Sequence, residues 1–424
     1  MLSIERPEAL GLCSQRLTRV SDWLKLQVSS ERLAGASVLI GRHGQPAFFE
    51  ATGWADAERR TPFTQDTIVR IYSMTKPVTS VAAMMLYEQG AFQLDDPLYA
   101  YLPEFRDVRV WAGGEAPIDQ TSPAAAPMNV RQVMTHTAGL TYGFMQTNVV
   151  DAAYRELQLE FPGGPLPLEE SVRRLAELPL ICQPGTAWNY SVATDVLGRL
   201  VEVWSGQSLE AYMQQHIFEP LAMNETGFHV HADHAARLAS CYAPKSGKTL
   251  GGIATASDDE APAVTGFKLQ DDAATSAFLQ PAKVYSGGGG LTSTVGDYAR
   301  FCQMLLNQGA LDGERLLGRK TVGYMRQNQL PDHRDMAAMG QPVWSETSYD
   351  GIGFGLGFAV VIDPVKATIV TSPGEYHWGG AASTFFWLDP EEDLYTIFLT
   401  QLLPSSTYPI RRELRTRVYQ ALVD

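Results

Sequence analysis

Two extended segments near the C-terminus, joined by a turn too short to hold a crossover, constrain the fold more than any other feature. Ala381 to Leu388 and Leu394 to Thr400 are aromatic and aliphatic, and Asp389-Pro390-Glu391-Glu392 between them has turn composition. A parallel connection needs about a dozen residues or more, so these strands are antiparallel neighbours. Gly355 to Val361 reads as a further strand. At the other end of the chain, Ala36-Ser37-Val38-Leu39-Ile40-Gly41 reads as a buried strand, Arg42 to Gln45 as a turn, and Pro46 to Ala51 as the returning strand. Leu17, Val20, Trp23, Leu24 and Val28 recur at helical intervals within Leu12 to Ser30, and Ile410 to Val423 closes the chain as a helix. The hairpin and the C-terminal strands are expected to share one sheet.

Between them the pattern turns helical. Short helices are expected over Asn129 to Leu140 (stopped at Gly139), Leu168 to Leu178, Thr194 to Trp204 and Leu209 to Phe218, with another at Val295 to Asn307. Glu115 to Pro127, Phe161 to Pro167 and the polar stretch Lys245 to Asp259 read as surface loops. The expected fold class is α+β: an antiparallel sheet flanked by helices, with a mainly helical domain inserted. The expected division is 1–90 with 286–424 as the sheet domain and 91–285 as the helical one, the active site lying between.

Composition narrows the function by exclusion. A formal net charge of −14 argues against a general nucleic-acid binder, which needs a basic face. Cys13, Cys182, Cys241 and Cys302 are far apart and suit buried free thiols in a reducing compartment. The N-terminal residues lack a basic and apolar leader pattern, and no run reaches the ~18–20 apolar residues of a membrane span. A cytoplasmic protein without membrane partner or cofactor is expected, its oligomeric state open.

The chemistry-bearing run is Ser73-Met74-Thr75-Lys76, which opens a buried helix of small and apolar residues ending near Glu88-Gln89-Gly90. Pro77 falls in the first turn, where its missing N–H matters little. At i,i+3 the Ser73 hydroxyl and the Lys76 amine point the same way. Such a lysine can take the serine proton if burial holds it neutral. Tyr190, after the turn Pro184-Gly185 and before the helix from Thr194, is the candidate second base, since a tyrosine beside a positive lysine ionises more easily. Paired glycines in His377-Trp378-Gly379-Gly380-Ala381, at the start of a strand, would let a substrate approach the backbone. The run Ser286-Gly287-Gly288-Gly289-Gly290 lacks the G-K-[ST] ending of a phosphate loop and reads as a packed structural loop. His136 is expected to be structural. His229, His231 and His234 lack a carboxylate motif and read as a polar loop rather than a metal site. No G-x-S-x-G elbow occurs.

In this order the runs resemble the serine β-lactamase and penicillin-binding-protein superfamily, above all class C β-lactamases and their esterase relatives, the family VIII carboxylesterases. The resemblance spans about Ile71 to Pro390 and includes Thr135-His136-Thr137-Ala138-Gly139-Leu140 and Pro184-Gly185-Thr186. It implies Ser73 as the nucleophile of an acyl-enzyme, Lys76 as base or proton relay, Tyr190 as the base for deacylation, and the backbone N–H groups of Ser73 and Ala381 as oxyanion hole. Two departures stand out. The family's Tyr-x-Asn is here Tyr190-Ser191-Val192, which lacks the amide that holds a β-lactam side chain. The K-T-G strand is replaced by Trp378-Gly379-Gly380 (or His377-Trp378-Gly379 with a one-residue slip), which lacks the cation for a substrate carboxylate. Both shift the expected substrate to neutral esters of short to medium acyl chain, a small-molecule partner. An acyltransferase, a β-lactamase or D-amino-peptidase, and a penicillin binder without turnover are the alternatives. Trp188 and Tyr142, together with Trp111, Phe144 and Trp344, are the aromatic candidates for an acyl pocket.

Overall fold

A computed structural model describes residues 2–159, 164–247, 265–340 and 349–424. The elements that frame the molecule are, in chain order, α1 (Ser14–Ser29), β1 (Gly35–Arg42), β2 (Gln45–Asp56), β3 (Thr61–Pro62), α2 (Thr75–Glu88), α3 (Ala193–Ser205), α4 (Val295–Leu306), β4 (Ile352–Phe354), β5 (Ala359–Val361), β6 (Tyr376–Gly379), β7 (Phe385–Asp389), β8 (Leu394–Thr400) and α5 (Ile410–Tyr419).

The strands form one eight-stranded sheet in the order β4-β5-β6-β7-β8-β1-β2-β3. Its neighbours pair antiparallel throughout. The two ends of the chain meet where β1 pairs with β8, Val38 opposite Phe398. Side chains alternate along each strand, so every second residue joins the same layer. Val38, Ile40, Phe385, Trp387 and Phe398 pack with Leu17, Val20 and Trp23 of α1 and Leu414 and Val418 of α5. Leu39, Phe386, Leu388, Ile397 and Leu399 join the other core with Val78 and Val81 of α2 and Val295 and Phe301 of α4. A sheet apolar on both faces must be covered on both, which is why its central strands read as continuous apolar runs. Helices on both sides of an antiparallel sheet meet the α+β expectation.

Local departures cluster at the sheet's far edge. The expected strand Gly355–Val361 is strand only from Ala359. Gly355–Phe358 makes the turn back to β4, with Gly357 at φ +93°. Strand β7 begins at Phe385, not Ala381, because Gly380 N–H bonds Thr384 O at 2.7 Å and Ser383 turns at φ +66°. Trp378-Gly379-Gly380 therefore ends a strand rather than starting one. The helix expected over Asn129–Leu140 spans only Val130–Met134, capped by reciprocal Asn129 and Gln132 bonds and stopped by His136 at φ +58°. Leu209–Met213 is α-helical, then widens into a π turn over Gln214–Phe218. Within the expected loop Glu115–Pro127, Thr121–Pro123 pairs with Arg109–Trp111. The runs Phe161–Pro167 and Lys245–Asp259 lie partly outside the described residues. No helix among the described residues is long and apolar enough to cross a membrane. The four cysteines are free thiols.

Candidate active site

Ser73 sits one step before the helix expected to carry it, in the 3-10 turn Tyr72–Met74 that leads into α2. Three residues per turn place i and i+3 directly over one another, so the serine faces Lys76. Tyr72 holds a positive φ of +42°, a costly state for a non-glycine residue. The turn is pinned by Met74 N–H to Ile71 O (3.0 Å) and by the Tyr298 hydroxyl to Met74 O (2.9 Å).

Lys76 is buried, and its Nζ donates to Gly288 O at 2.7 Å, the Tyr142 hydroxyl at 3.0 Å and Ser73 Oγ at 3.2 Å. Burial disfavours the ammonium and outweighs the attraction of Asp195, so the amine's pKa falls to about 7. The glycine-rich loop read as purely structural thus supplies a ligand to the amine. Its glycines are there for close approach: a Cβ on Gly287 would lie 2.6 Å from Thr194 O. Asp195, buried on α3, accepts from the Ser286 hydroxyl (2.6 Å) and Gly288 N–H (3.0 Å). Sequence reasoning passed over it, although a lone carboxylate in Val192-Ala193-Thr194-Asp195-Val196-Leu197 was signal enough.

Tyr190 reaches the same serine from the loop ahead of α3, its hydroxyl donating to Ser73 Oγ at 2.6 Å. The expectation of an easily ionised tyrosine is corrected here. Burial pushes its pKa up, outweighing the lowering by Ser73 and Trp378. Lys76 Nζ lies over the ring, 4.6 Å from its centroid. His136, expected to be structural within its own turn, is buried and reaches beyond that turn. Its Nδ1 lies 3.1 Å from Ser191 Oγ, its carbonyl accepts from Asn189 N–H at 2.8 Å, and its ring packs 5.2 Å from Tyr190. It braces the loop on both sides of the tyrosine.

The hydroxyls of Ser73 and Tyr190 open into a cleft of about 540 Å³, counting its open mouth. His377, Trp378, Gly379, Gly380 and Ala381 line it from the end of β6, together with Tyr349, Ser405, Arg411 and Arg415 from other segments of the chain. Trp378 packs against Tyr190 and Phe354, at 5.5 and 5.4 Å between ring centroids. The paired glycines are explained by the protein itself. A Cβ on Gly379 would lie 2.3 Å from an Arg411 nitrogen, and one on Gly380 2.4 Å from Ile71 O. His377 Nδ1 lies 2.8 Å from Glu375 Oε1, outside hydrogen-bonding angle. Burial lowers the imidazole's pKa, aided by Arg415 and opposed by Glu375. Tyr349, Ser405 and Arg411 carried no local signal, because they reach the cleft from unrelated segments.

Among the described residues, the structure does not bring Trp188, Tyr142, Phe144 or Trp111 to the cleft wall. Trp188 is 1% exposed and lies behind Tyr190, at 6.3 Å between centroids. Tyr142 is a partner of Lys76 instead of a wall, with Phe144 stacked on it at 4.5 Å. Trp111 is buried in the core, and Trp344 lies outside the described residues. His229 faces Glu210 and His231 faces Asp233, and no metal-binding group of three or more side chains forms among the described residues.

A protein-family model described as Beta-lactamase matches residues 20–420. The chain is 35% identical over 376 residues to Protein Rv1367c of Mycobacterium tuberculosis, covering 88% of this chain and 86% of that protein. It is 31% identical over 422 residues to Esterase EstB of Burkholderia gladioli, covering 97% and 98%. A solved structure described as EstCE1, a hydrolase with promiscuous acyltransferase activity, superposes with a TM-score of 0.75 at 28% identity, covering 96% of this chain and 99% of that one.

Proposed function

The chain belongs to the β-lactamase family, and from that membership we propose that it is a serine hydrolase cleaving carboxylic esters of short to medium acyl chain through an acyl-enzyme on Ser73. The observation that carries the reading is that one hydroxyl, at the floor of a cleft, touches both a buried amine and a phenol (3.2 and 2.6 Å).

Neutral Lys76 takes the Ser73 proton as Oγ attacks the ester carbonyl carbon. The tetrahedral oxyanion is held by the backbone N–H groups of Ser73 and Ala381, both at the cleft wall. Tyr190 gives its proton to the departing alcohol oxygen, and the tyrosinate so formed lies beside the new Lys76 ammonium. Water then attacks the acyl carbon and loses its proton to Tyr190, while Lys76 returns the first proton to Ser73 Oγ. The carboxylic acid leaves and every group regains its starting state. No step calls for a metal or organic cofactor.

Two features favour esters over lactams: Val192, fully buried, offers no amide to a β-lactam side chain, and β6 closes on Trp378-Gly379, followed by Gly380, without a lysine. Esterase EstB, alike over almost its full length, is named for the same chemistry. A p-nitrophenyl ester chain-length series run against nitrocefin, on wild type and Ser73→Ala, tests the reading. Ester cleavage peaking at short to medium chains and lost in Ser73→Ala is expected. Strong nitrocefin turnover with little ester cleavage overturns it.

A second reading has specific support. EstCE1, alike in fold and 28% identical, is described as having promiscuous acyltransferase activity. The same acyl-enzyme would transfer its acyl group to an alcohol that displaces water, so product analysis with and without added alcohol separates the two.

A further inference from the structure

The catalytic sequence above makes no use of Asp195, yet its carboxyl is buried beside the reacting amine. Oδ1 accepts from Ser286 and Gly288 N–H, while Oδ2 is buried and without a partner. Gly288 lies between the two ionisable groups: its N–H serves Asp195 and its carbonyl serves Lys76 Nζ. A Cβ on that glycine would lie 2.5 Å from Asp195 Oδ2 and 3.1 Å from the Tyr142 hydroxyl that also binds Nζ. Val192, Val196 and Leu197 around it are fully buried. An uncharged amide would hold the glycine loop equally well, and a buried carboxylate oxygen left unpaired is unfavourable. The choice of a carboxyl over an amide here therefore calls for a reason.

We propose that Asp195 is a positioning residue for Lys76, fixing through Gly288 the carbonyl that holds Nζ and setting, by its charge across that glycine, how readily Nζ takes and returns the Ser73 proton. This rests on reading Lys76 as the base. The groups facing Nζ are Ser73, Tyr142, Tyr190, Asp195 and His136, and burial, with Lys76 beside it, holds the His136 pKa well down. Burial raises the Asp195 pKa, opposed by Lys76, the Ser286 hydroxyl and the Gly288 N–H, and we take Asp195 as the anion among them. An opposite charge favours the ammonium, so removing it makes Lys76 a weaker base that is neutral at lower pH.

The test follows the rate of Ser73 labelling by a fluorophosphonate, and kcat/KM for p-nitrophenyl acetate, from pH 5 to 9. Asp195→Asn keeps the shape and both bonds to Oδ1 but loses the charge. Its acid limb is expected about one pH unit or more below that of the wild type. Ser286→Ala removes a bond that favours the ionised carboxylate, and its limb is expected to move the same way by less. Limbs that stay in place in both folded variants, or move to higher pH, leave Asp195 a structural residue and overturn the proposal. Should Asp195→Asn fail to fold, Ser286→Ala decides alone. Lys76→Ala is the control for the underlying reading: if it labels as fast as wild type, Lys76 is not the base and the proposal falls with it.

Discussion

Tyr190 and Ser73, 117 positions apart in sequence, share a 2.6 Å hydrogen bond in which the phenol is the donor. The direction of that bond matters more than its length. Burial keeps the phenol protonated, so at rest Tyr190 is poised to give a proton and Lys76 to take one. The serine oxygen lies between an acid and a base whose proton affinities burial has pushed in opposite directions.

Replacing Tyr190 by Phe deletes the donor while leaving the ring packed against Trp378 and His136. A fall in kcat on the order of 10²–10⁴ is expected, with little change in melting temperature. Near-wild-type kcat would take Tyr190 out of the proton path.

Lys76 must be neutral to act, and its pKa of about 7 places the acid limb there. Below that pH, kcat/KM should fall about tenfold per unit. The same burial has a thermodynamic sign. The folded value lies below the unfolded lysine's, so the penalty is full below pH 7, shrinks as pH rises from there, and vanishes above about 10.4. Lys76→Met should be inactive and more stable by about 1–3 kcal/mol near pH 6, the gain fading towards pH 10. Equal stability gain at both pH values by chemical denaturation would contradict the buried-amine account.

Gly380 faces both backbone and a short side chain: an added Cβ would lie 2.4 Å from Ile71 O and 2.3 Å from Thr384 Oγ1. Gly380→Ala should destabilise by about 1–3 kcal/mol and slow turnover by displacing the neighbouring Ala381 N–H. At Gly379 the nearest obstacle is the end of the flexible Arg411 side chain, with the backbone Thr384 O further off at 2.9 Å, so Gly379→Ala should be milder in thermal melting. The reverse order would show that substrate approach, and not packing, selects these glycines.

Glu375 is fully buried beneath the cleft wall and pairs with Arg415 at 2.8 and 3.2 Å. Burial alone would raise its pKa, but Arg415 outweighs it and holds the carboxyl well below the ordinary range. Its contribution is therefore present above the unfolded value near ~4.3 and declines as pH drops further. Glu375→Gln removes the carboxylate that Arg415 pairs with in the interior and should lower stability by about 3–5 kcal/mol in denaturant titration at pH 7. A loss under 1 kcal/mol, within the range of an exposed pair, would contradict it.

What could be read from residues alone was whatever depends on short-range spacing. Leu39 and Val38 point to opposite cores because strands have a period of two, and that period stands in the sequence. The same holds for Ser73 and Lys76, whose separation of three fixes their facing, even though the turn between them is 3-10 rather than α. The antiparallel pairing of β7 and β8 followed from a turn of too few residues to cross over. The edge of the sheet was misplaced by a few residues because Gly355–Phe358 and Gly380–Ser383 are glycine-bearing turns within extended runs, and bonds inside those turns, Gly355 N–H to Phe358 O and Gly380 N–H to Thr384 O, decide where pairing stops.

Tertiary structure alone decided the rest, since it depends on sums over neighbours that chain order does not list. Gly288 became a ligand of Lys76, Trp188 and Tyr142 were moved behind the cleft, and Arg411 was brought against Gly379, each by the packing of segments remote in sequence. The proton affinities of Lys76 and Tyr190 belong to this class too. Both residues could be named as candidates from their surroundings in the chain, but which one holds its proton is set by desolvation, and desolvation exists only once the fold has closed around them.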